Sequence, residues 1–513
     1  MKTLKNSSLL YAASMLVVCM FIVACGSDDV VEQSQPQSQS PQPQLPVVHF
    51  STEVTADVSD ASISRANGPL KIAINESADQ KVLNTNWEVN DEIAIIYTNT
   101  NNEKDMSKVT VSSVGTSGIA YIEGTLQGPK NGSDVKMVYP YDAADMAQES
   151  GVKADYLKTG QDGTLETIAD KYAVNVADSR LTVDGTTATL QSRAHFFNKV
   201  AICKFTFKEN GTTLTGINYL SVGNMIIRGS NLSAVYVAFD PTTVSGEKRF
   251  TVLNGTAGYS GTASPSLTAG TFYRPTLSLT RLEHEVVDLG LPSGILWATM
   301  NIGATAPEKA GDWYAWGETE TYYEELNDDY TVKTWKTSPK DYSINGYRWA
   351  NYKWCNGTQE TLTKYNNLAS YGNNGFVDNK RTLDPEDDVA HVKWGDAWRI
   401  PSNTEWLEMV NLSYTSRVWT TISGMSGYTI TSNADNTKSI FLPAPGVQKG
   451  TSLVSGPSTI NPYGRYQSNI TRAENEPHYA WHLCIYENNN VATRGSNEPE
   501  RPVGRTVRAV VTQ

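Results

Sequence analysis

Leu181-Thr-Val-Asp184-Gly185-Thr-Thr-Ala-Thr-Leu190 decides the fold class. Two short runs rich in Thr, Val and Leu flank an Asp-Gly pair, which is the signature of a tight β-hairpin turn. Asn210-Gly211 and Asn254-Gly255 mark two more such turns. Ahead of both, Ile202-Cys-Lys-Phe-Thr-Phe207 alternates, so Cys203, Phe205 and Phe207 share one strand face. That spacing predicts Cys203 to be a core thiol. Short strands separated by turns, from Phe50 to about Leu282, predict β-sandwiches.

The chain start reads differently. Lys2 and Lys5 precede Leu9–Ala24, a 16-residue apolar stretch that ends at Ala24-Cys25. Sixteen residues fall short of the roughly 20 that cross a bilayer core, and the layout is that of a secretory signal. Ile22-Val-Ala-Cys25 resembles a bacterial lipobox, with Ile22 where Leu is commoner. It implies cleavage between Ala24 and Cys25 and diacylation of the Cys25 sulfur. Gly26–Pro46, dominated by Gln, Ser and Pro, has little to bury and forms a tether. Its Ser27-Asp28-Asp29 resembles the acidic signal that sends Bacteroidetes lipoproteins to the outer face of the outer membrane.

Charge and motif content exclude much. Loss of residues 1–24 removes two lysines and no acid, leaving 40 basic and 54 acidic residues in the mature chain. An acidic chain without basic patches is a poor nucleic-acid ligand. Beyond the anchor, Cys203, Cys355 and Cys484 form an odd set without a CxxC pair. His478 and His482 fall on one face of a strand, too far apart along it for a tight metal site, and are expected at the surface or half-buried. The chain lacks a GxSxG elbow, a phosphate-binding glycine-lysine loop, a GxGxxG turn and HExxH. No catalytic residue, metal or cofactor is therefore assigned, and the expectation is a protein that is not an enzyme.

Four segments occur in order over the first half: Trp87–Tyr97, Val138-Tyr-Pro-Tyr141, Thr159-Gly-Gln-Asp-Gly-Thr-Leu165, and the strand region Phe196–Phe207. This half resembles the fimbrillin family, pilins and pilin-like lipoproteins of Bacteroidetes. The resemblance implies two stacked transthyretin-like β-sandwiches in a fimbrial stalk subunit, anchor or tip. It also makes Arg65, in Ser64-Arg-Ala66, a candidate processing site ahead of the first core strand. The second half carries Val287–Gly303, Gly311-Asp-Trp-Tyr-Ala-Trp-Gly-Glu318, Pro385–Pro401, Thr404-Glu-Trp406, Phe441-Leu-Pro-Ala444 and Val507-Arg508. It resembles the Fibrobacter succinogenes major paralogous domain, which implies an α+β, C-type-lectin-like fold. The sugar-binding triplets of true C-type lectins are missing, and Glu498-Pro-Glu500 does not replace them.

Within that half, Ser402 and Glu405 form a capping box at the start of a short helix. The family fold makes Arg399 a partner for a buried carboxylate such as Asp388. The acidic run Asp384–Asp388 offers oxygen ligands for calcium, although a solvated turn suits its spacing better. Trp297, Trp316, Trp398 and Trp406 lie in the family motifs and are expected in the core. That leaves Trp335, Tyr342, Tyr347, Trp349, Tyr352 and Trp354 as an exposed ligand-binding loop.

The expected organisation is a signal peptide (1–24), a tether (25–48), a fimbrillin-like β region (49–282) and the lectin-like domain (283–513). The expected role is a non-enzymatic, outer-membrane, lipid-anchored and surface-exposed protein acting as a fimbrial accessory or tip adhesin. Its partners would be the membrane through the Cys25 lipid, other fimbrial subunits, and an extracellular glycan or protein. The alternative is a glycan-binding lipoprotein of a polysaccharide-uptake system. Radioactive fatty acid should label the wild-type chain and not Cys25→Ala; equal labelling of both would refute the lipid anchor.

Overall fold

The computed structural model describes residues 45–56, 87–116, 118–487, 490–494 and 500–511. Ala24, Cys25 and Arg65 lie outside these residues. The described chain is mainly β, with a few short helices.

Eight strands build the first unit: β1 (Val47–Ala56), β2 (Glu92–Thr98), β3 (Lys104–Val114), β4 (Ile119–Gln127), β5 (Asp134–Tyr139), β6 (Asn175–Asp184), β7 (Thr187–Leu190) and β8 (Ala194–Asn198). The Leu181–Leu190 hairpin forms as its sequence dictates, with Leu181 opposite Leu190 and Gly185 at φ +57°. β1 pairs antiparallel with β4 from Val47↔Gln127 to Thr55↔Ile119. Its other side pairs parallel with β7 at Phe50↔Ala188 and with β8 at Val54↔Ala194. Pairing therefore runs from β1 through β4, β3, β2, β5, β6 and β7 back to β1. Such closure leaves neither side of β1 as a free edge. The period of two sends Val48, Phe50, Val54 and Ala56 inward. There they meet Trp87, whose ring centroid lies 5.5 Å from that of Tyr139 and 5.0 Å from that of Phe196, both in edge-on contact. This corrects the placement of Arg65: a core strand, β1, precedes it, and Arg65 falls between β1 and β2.

The second unit is a sandwich. One sheet holds Ala201–Glu209, Thr212–Thr213, Val235–Phe239, Phe272–Tyr273 and Thr276–Ser278. The facing sheet holds Ile217–Val222, Met225–Leu232, Lys248–Asn254, Ala257–Ala263 and Thr280–Arg281. Cys203, Phe205 and Phe207 enter the space between them and meet Leu220, Val237, Phe250 and Val252. Burial pushes the Cys203 thiol up to about 12, as befits a core residue. Cys355 and Cys484 are also buried, and neither is in a disulfide.

β2 is apolar on both faces for a physical reason. Ile93, Ile95 and Tyr97 point into the first unit, while Ala94 and Ile96 point out against Ile168, Tyr172, Val200, Ile202 and Phe272. The joint between the two units is thus a second hydrophobic core. Gln161 is buried in it and completes the backbone hydrogen bonding of Ala238. It accepts from Ala238 N at 2.8 Å and donates to Ala238 O at 3.0 Å and Leu157 O at 2.6 Å.

The C-terminal domain follows without a polar gap. Tyr219, Ile226 and Leu253 of the sandwich share one core with Leu282, Val286, Leu296 and Trp398. Arg228 forks onto Asp288 (2.6 and 3.1 Å), and Tyr219 Oη donates to Gly294 O at 2.7 Å. Gly294 has φ +66° and a Cβ there would overlap Ile226, so only glycine allows this approach. The domain's first sheet runs in the order Val286–Asp288, Leu296–Asn301, Arg508–Val511, Trp398–Arg399. Two three-stranded sheets and the helices Val389–Trp394 and Asn403–Met409 cover it.

The capping box forms: Ser402 Oγ accepts from Glu405 N at 3.2 Å, and Ser402 N donates back to Glu405 Oε2 at 2.7 Å. Arg399 does not pair with Asp388; its guanidinium forks onto Glu405. Asp388 is instead consumed as a cap, accepting from Ala390 N (2.9 Å), His391 N (3.3 Å) and Ile400 N (2.8 Å). Arg501, Arg505 and Arg508 are fully buried.

Phe50 is fully buried in β1, whereas Val47 is 58% exposed at its start. Phe50→Ala should lower unfolding free energy by about 3–5 kcal/mol, and Val47→Ala by under about 0.5 kcal/mol. Urea denaturation gives both values; equal midpoints would mean that closing the first unit through β1 adds no stability.

Candidate functional site

The Trp335–Trp354 segment is not a loop of exposed aromatics. Tyr342, Tyr347 and Tyr352 are buried, at 8%, 1% and 0% exposure, and this corrects their expected place on the surface. Tyr322 is sandwiched between two of them, with ring centroids 4.2 Å from Tyr342 and 4.4 Å from Tyr347. The hydroxyls of Tyr347 and Tyr352 find backbone acceptors in the Gly311–Glu318 turn. Tyr347 Oη donates to Trp313 O at 2.6 Å, and Tyr352 Oη donates to Trp316 O at 2.7 Å. A buried phenol needs such a partner, and a turn of carbonyls supplies several. The tyrosines are the floor of this region.

Three indoles remain half-buried above that floor. Trp354 is already engaged: its Nε1 donates to Gly317 O at 2.6 Å, and the Lys353 and Lys364 ammoniums lie 4.1 and 5.0 Å from its ring. Trp349 meets Tyr352 edge-on at 5.5 Å, and Trp335 lies 6.4 Å from Tyr347. Trp335 and Trp349 are thus the two indoles left with partly open surface. Trp297, Trp316, Trp398 and Trp406 are in the core, as their motif positions imply.

Beneath the tyrosine stack lies a group that sequence reasoning did not single out. Glu318, at the end of the Trp316-Gly-Glu318 motif, is buried and accepts from Tyr322 Oη and from Lys353 N, both at 2.8 Å. Burial pushes its carboxyl up to about 7, against the pull of those two hydrogen bonds and of the Lys353 and Lys340 charges. The only sequence signal was a Glu within an otherwise aromatic motif.

The acidic run resolves differently. Lys364 Nζ sits 2.7 Å from Asp384, 3.4 Å from Glu386 and 2.6 Å from Asp387, so the cation that these three carboxylates surround is a lysine. Tyr365 Oη also donates to Asp387 at 2.6 Å. His478 and His482 are both buried, against the expectation of surface or half-buried positions. His478 stacks on Tyr371 at 4.5 Å, and burial first, with the Arg501 charge second, lowers it to about 4. It is neutral at physiological pH.

The sequence matches no protein-family model and no curated protein sequence. Among solved structures it is similar to a Bacteroides uniformis protein described as a candidate for cell adhesion, at 17% identity and TM-score 0.25 over 41% of this chain and 94% of that one. A fimbrial assembly protein from Parabacteroides distasonis aligns at 10% identity and TM-score 0.24, over 46% and 94%. A fimbrial protein from Bacteroides ovatus aligns at 9% identity and TM-score 0.24, over 91% and 100%. These neighbours are fimbrial and adhesion-type proteins of Bacteroidetes. At such TM-scores the likeness is too loose to transfer a role.

Glu318 makes stability depend on pH. Its proton is held up to about pH 7 in the folded chain and is lost near 4.5 when unfolded. Its contribution is therefore complete below pH 4.5 and disappears as pH rises to 7, a loss on the order of 3 kcal/mol. Glu318→Gln should flatten that part of the curve. Parallel urea midpoints for both proteins between pH 4.5 and 7.5 would contradict this.

Proposed function

We propose that this chain is a cell-surface lipoprotein of the fimbrillin type that holds an extracellular ligand on its C-terminal domain without changing it chemically. The observation that carries the reading is the pair of part-exposed indoles, Trp335 and Trp349, on a floor of hydrogen-bonded tyrosines. Rigid aromatic faces bind at low entropic cost, because few torsions are left to freeze. The apolar joint to the neighbouring sandwich supports the reading, since it fixes the domain to its base.

A position at the end of a fibre, as accessory or tip, suits the C-terminal sheet better than a place in the repeating stalk. Strand Arg508–Val511 is paired on both sides, with Leu296–Asn301 and with Trp398–Arg399. Donating it to a neighbouring subunit would dismantle the domain that carries the indoles. The lipobox and tether point to an anchor on Cys25. A cut at Arg65 would break the covalent link between β1, with tether and lipid, and the chain that follows, while β1 stays paired with β4, β7 and β8.

The full chain should bind on glycan or extracellular-matrix arrays. Trp335→Ala and Trp349→Ala should each weaken binding at least fivefold, with Val418→Ala, a 62%-exposed residue elsewhere, as control. A hit confined to one dietary polysaccharide would move the role from adhesion to uptake. Binding unchanged in both tryptophan variants would remove this surface from the reading. Recovery of the protein as the most abundant, regular subunit of sheared fibres would overturn the end position.

A further inference from the structure

A cleft opens where the first unit meets the sandwich, with a cavity volume of about 440 Å³. That is within the range of small-molecule sites, which favour domain joints. Its floor is the outer end of the joint core: Val174 and Val200 are 1% exposed and Val176 is 4% exposed. Its rim carries Lys136, Lys153 and Lys199 against Asp178 and Asp240. The rim is thus net cationic on a chain whose formal charge is −12.

Both rim carboxylates are already engaged. Asp178 takes the Lys136 ammonium at 2.7 Å. Asp240 accepts from the amide and hydroxyl of Thr242, at 2.8 and 2.7 Å. Lys153 Nζ rests on a carbonyl, Asp142 O, at 2.7 Å, which leaves its charge uncompensated. Lys199 is exposed, and among the described residues no carboxylate pairs with it. Two ammoniums without a carboxylate partner, against the single uncompensated carboxylate of Asp240, leave the rim net positive above an apolar floor. That pairing is matched by an anionic head joined to an apolar tail.

We propose that this cleft binds an amphipathic carboxylate, its head group on Lys153 and Lys199 and its tail on the partly exposed Val152, Leu157 and Pro241 above the buried valines. The site draws residues from both units: Val174 and Val176 come from the first, Asp240 and Thr242 from the second. A bound tail would therefore extend the hydrophobic joint. This role is independent of the surface around Trp335 and Trp349, which lies in another domain.

Isothermal titration of the full chain with octanoate, decanoate and dodecanoate, below their micelle concentrations, tests it. The expected result is one site per chain, with affinity rising about fourfold per added methylene until the cavity is full. Decyltrimethylammonium, with the same tail and opposite charge, should bind at least tenfold more weakly than decanoate. Lys199→Glu should cost decanoate at least tenfold. Ala154→Trp, at an exposed position on the rim, should abolish binding by filling the mouth. Both substitutions are on the surface, and circular dichroism confirms their folding. Equal binding of the cationic and anionic amphiphiles, unchanged binding in Ala154→Trp, or no binding of any carboxylate would each overturn the proposal.

Discussion

A guanidinium with nowhere to go but inward organises the C-terminal half. Arg508 is fully buried, and a buried cation is tolerated only when its N–H groups are satisfied. Its Nε donates to Asn301 Oδ1 at 2.9 Å, and its terminal nitrogens donate to Ala298 O and Thr299 O, both at 3.2 Å, and to Phe441 O at 2.9 Å. Burial lowers it to about 10, so it stays charged at neutral pH. Those acceptors exist as a set only when strands Leu296–Asn301 and Ser439–Pro443 stand in register on either side. Arg501 repeats the device in part: its terminal nitrogens donate to Lys364 O and Tyr365 O and its guanidinium lies 4.9 Å from the Trp316 ring, while its Nε has no hydrogen-bond partner among the described residues. The aromatic floor is therefore held in place partly by cations that have carbonyl partners.

The two joints follow another rule. Interfaces between domains of one chain are usually polar enough to allow relative motion. Here each joint is a hydrophobic core, one around Ile96, Val138 and Ile202, the other around Tyr219, Leu253 and Leu296. At the second joint the Arg228–Asp288 fork and the glycine contact at Gly294 add direction to burial that has none of its own. A domain so joined presents its surface at a fixed angle to its base.

Where backbone period and side-chain chemistry agree, the sequence was legible. The Leu181–Leu190 hairpin, the Cys203–Phe207 face and the Ser402–Glu405 box all came from local rules, and all are local in the structure. The misreadings share a cause: each involved a residue whose environment comes from elsewhere in the chain. Tyr342, Tyr347 and Tyr352 lie among Asn, Ser and Gly, so they read as a loop, yet carbonyls of the 311–318 turn take the hydroxyls of Tyr347 and Tyr352, and Tyr342 stacks on Tyr322. His478 and His482 read as a two-sided strand, but their strand is covered on both faces. Arg399 had two carboxylates within reach. Asp388 was already used by three backbone amides, and Glu405 was held ready by Ser402. The lysine-rimmed cleft left no trace at all, because Lys136, Lys153 and Lys199 are far apart in the sequence and its other wall, with Asp240 and Thr242, comes from the second unit.

Pairing over long sequence separations also sets an order of events as the chain is made. β1 is the first described strand to emerge, yet Thr55 lies 139 residues before Ala194, whose carbonyl its hydroxyl reaches. In the last domain, Ala298 waits for Arg508 across 210 residues. At synthesis rates of about 5–20 residues per second, that second wait is roughly 10–40 s. Throughout it, strand Leu296–Asn301 lacks the partner that covers its inner edge. A newborn chain of this kind depends on being kept unfolded, or kept apart from its neighbours, until its last strand arrives.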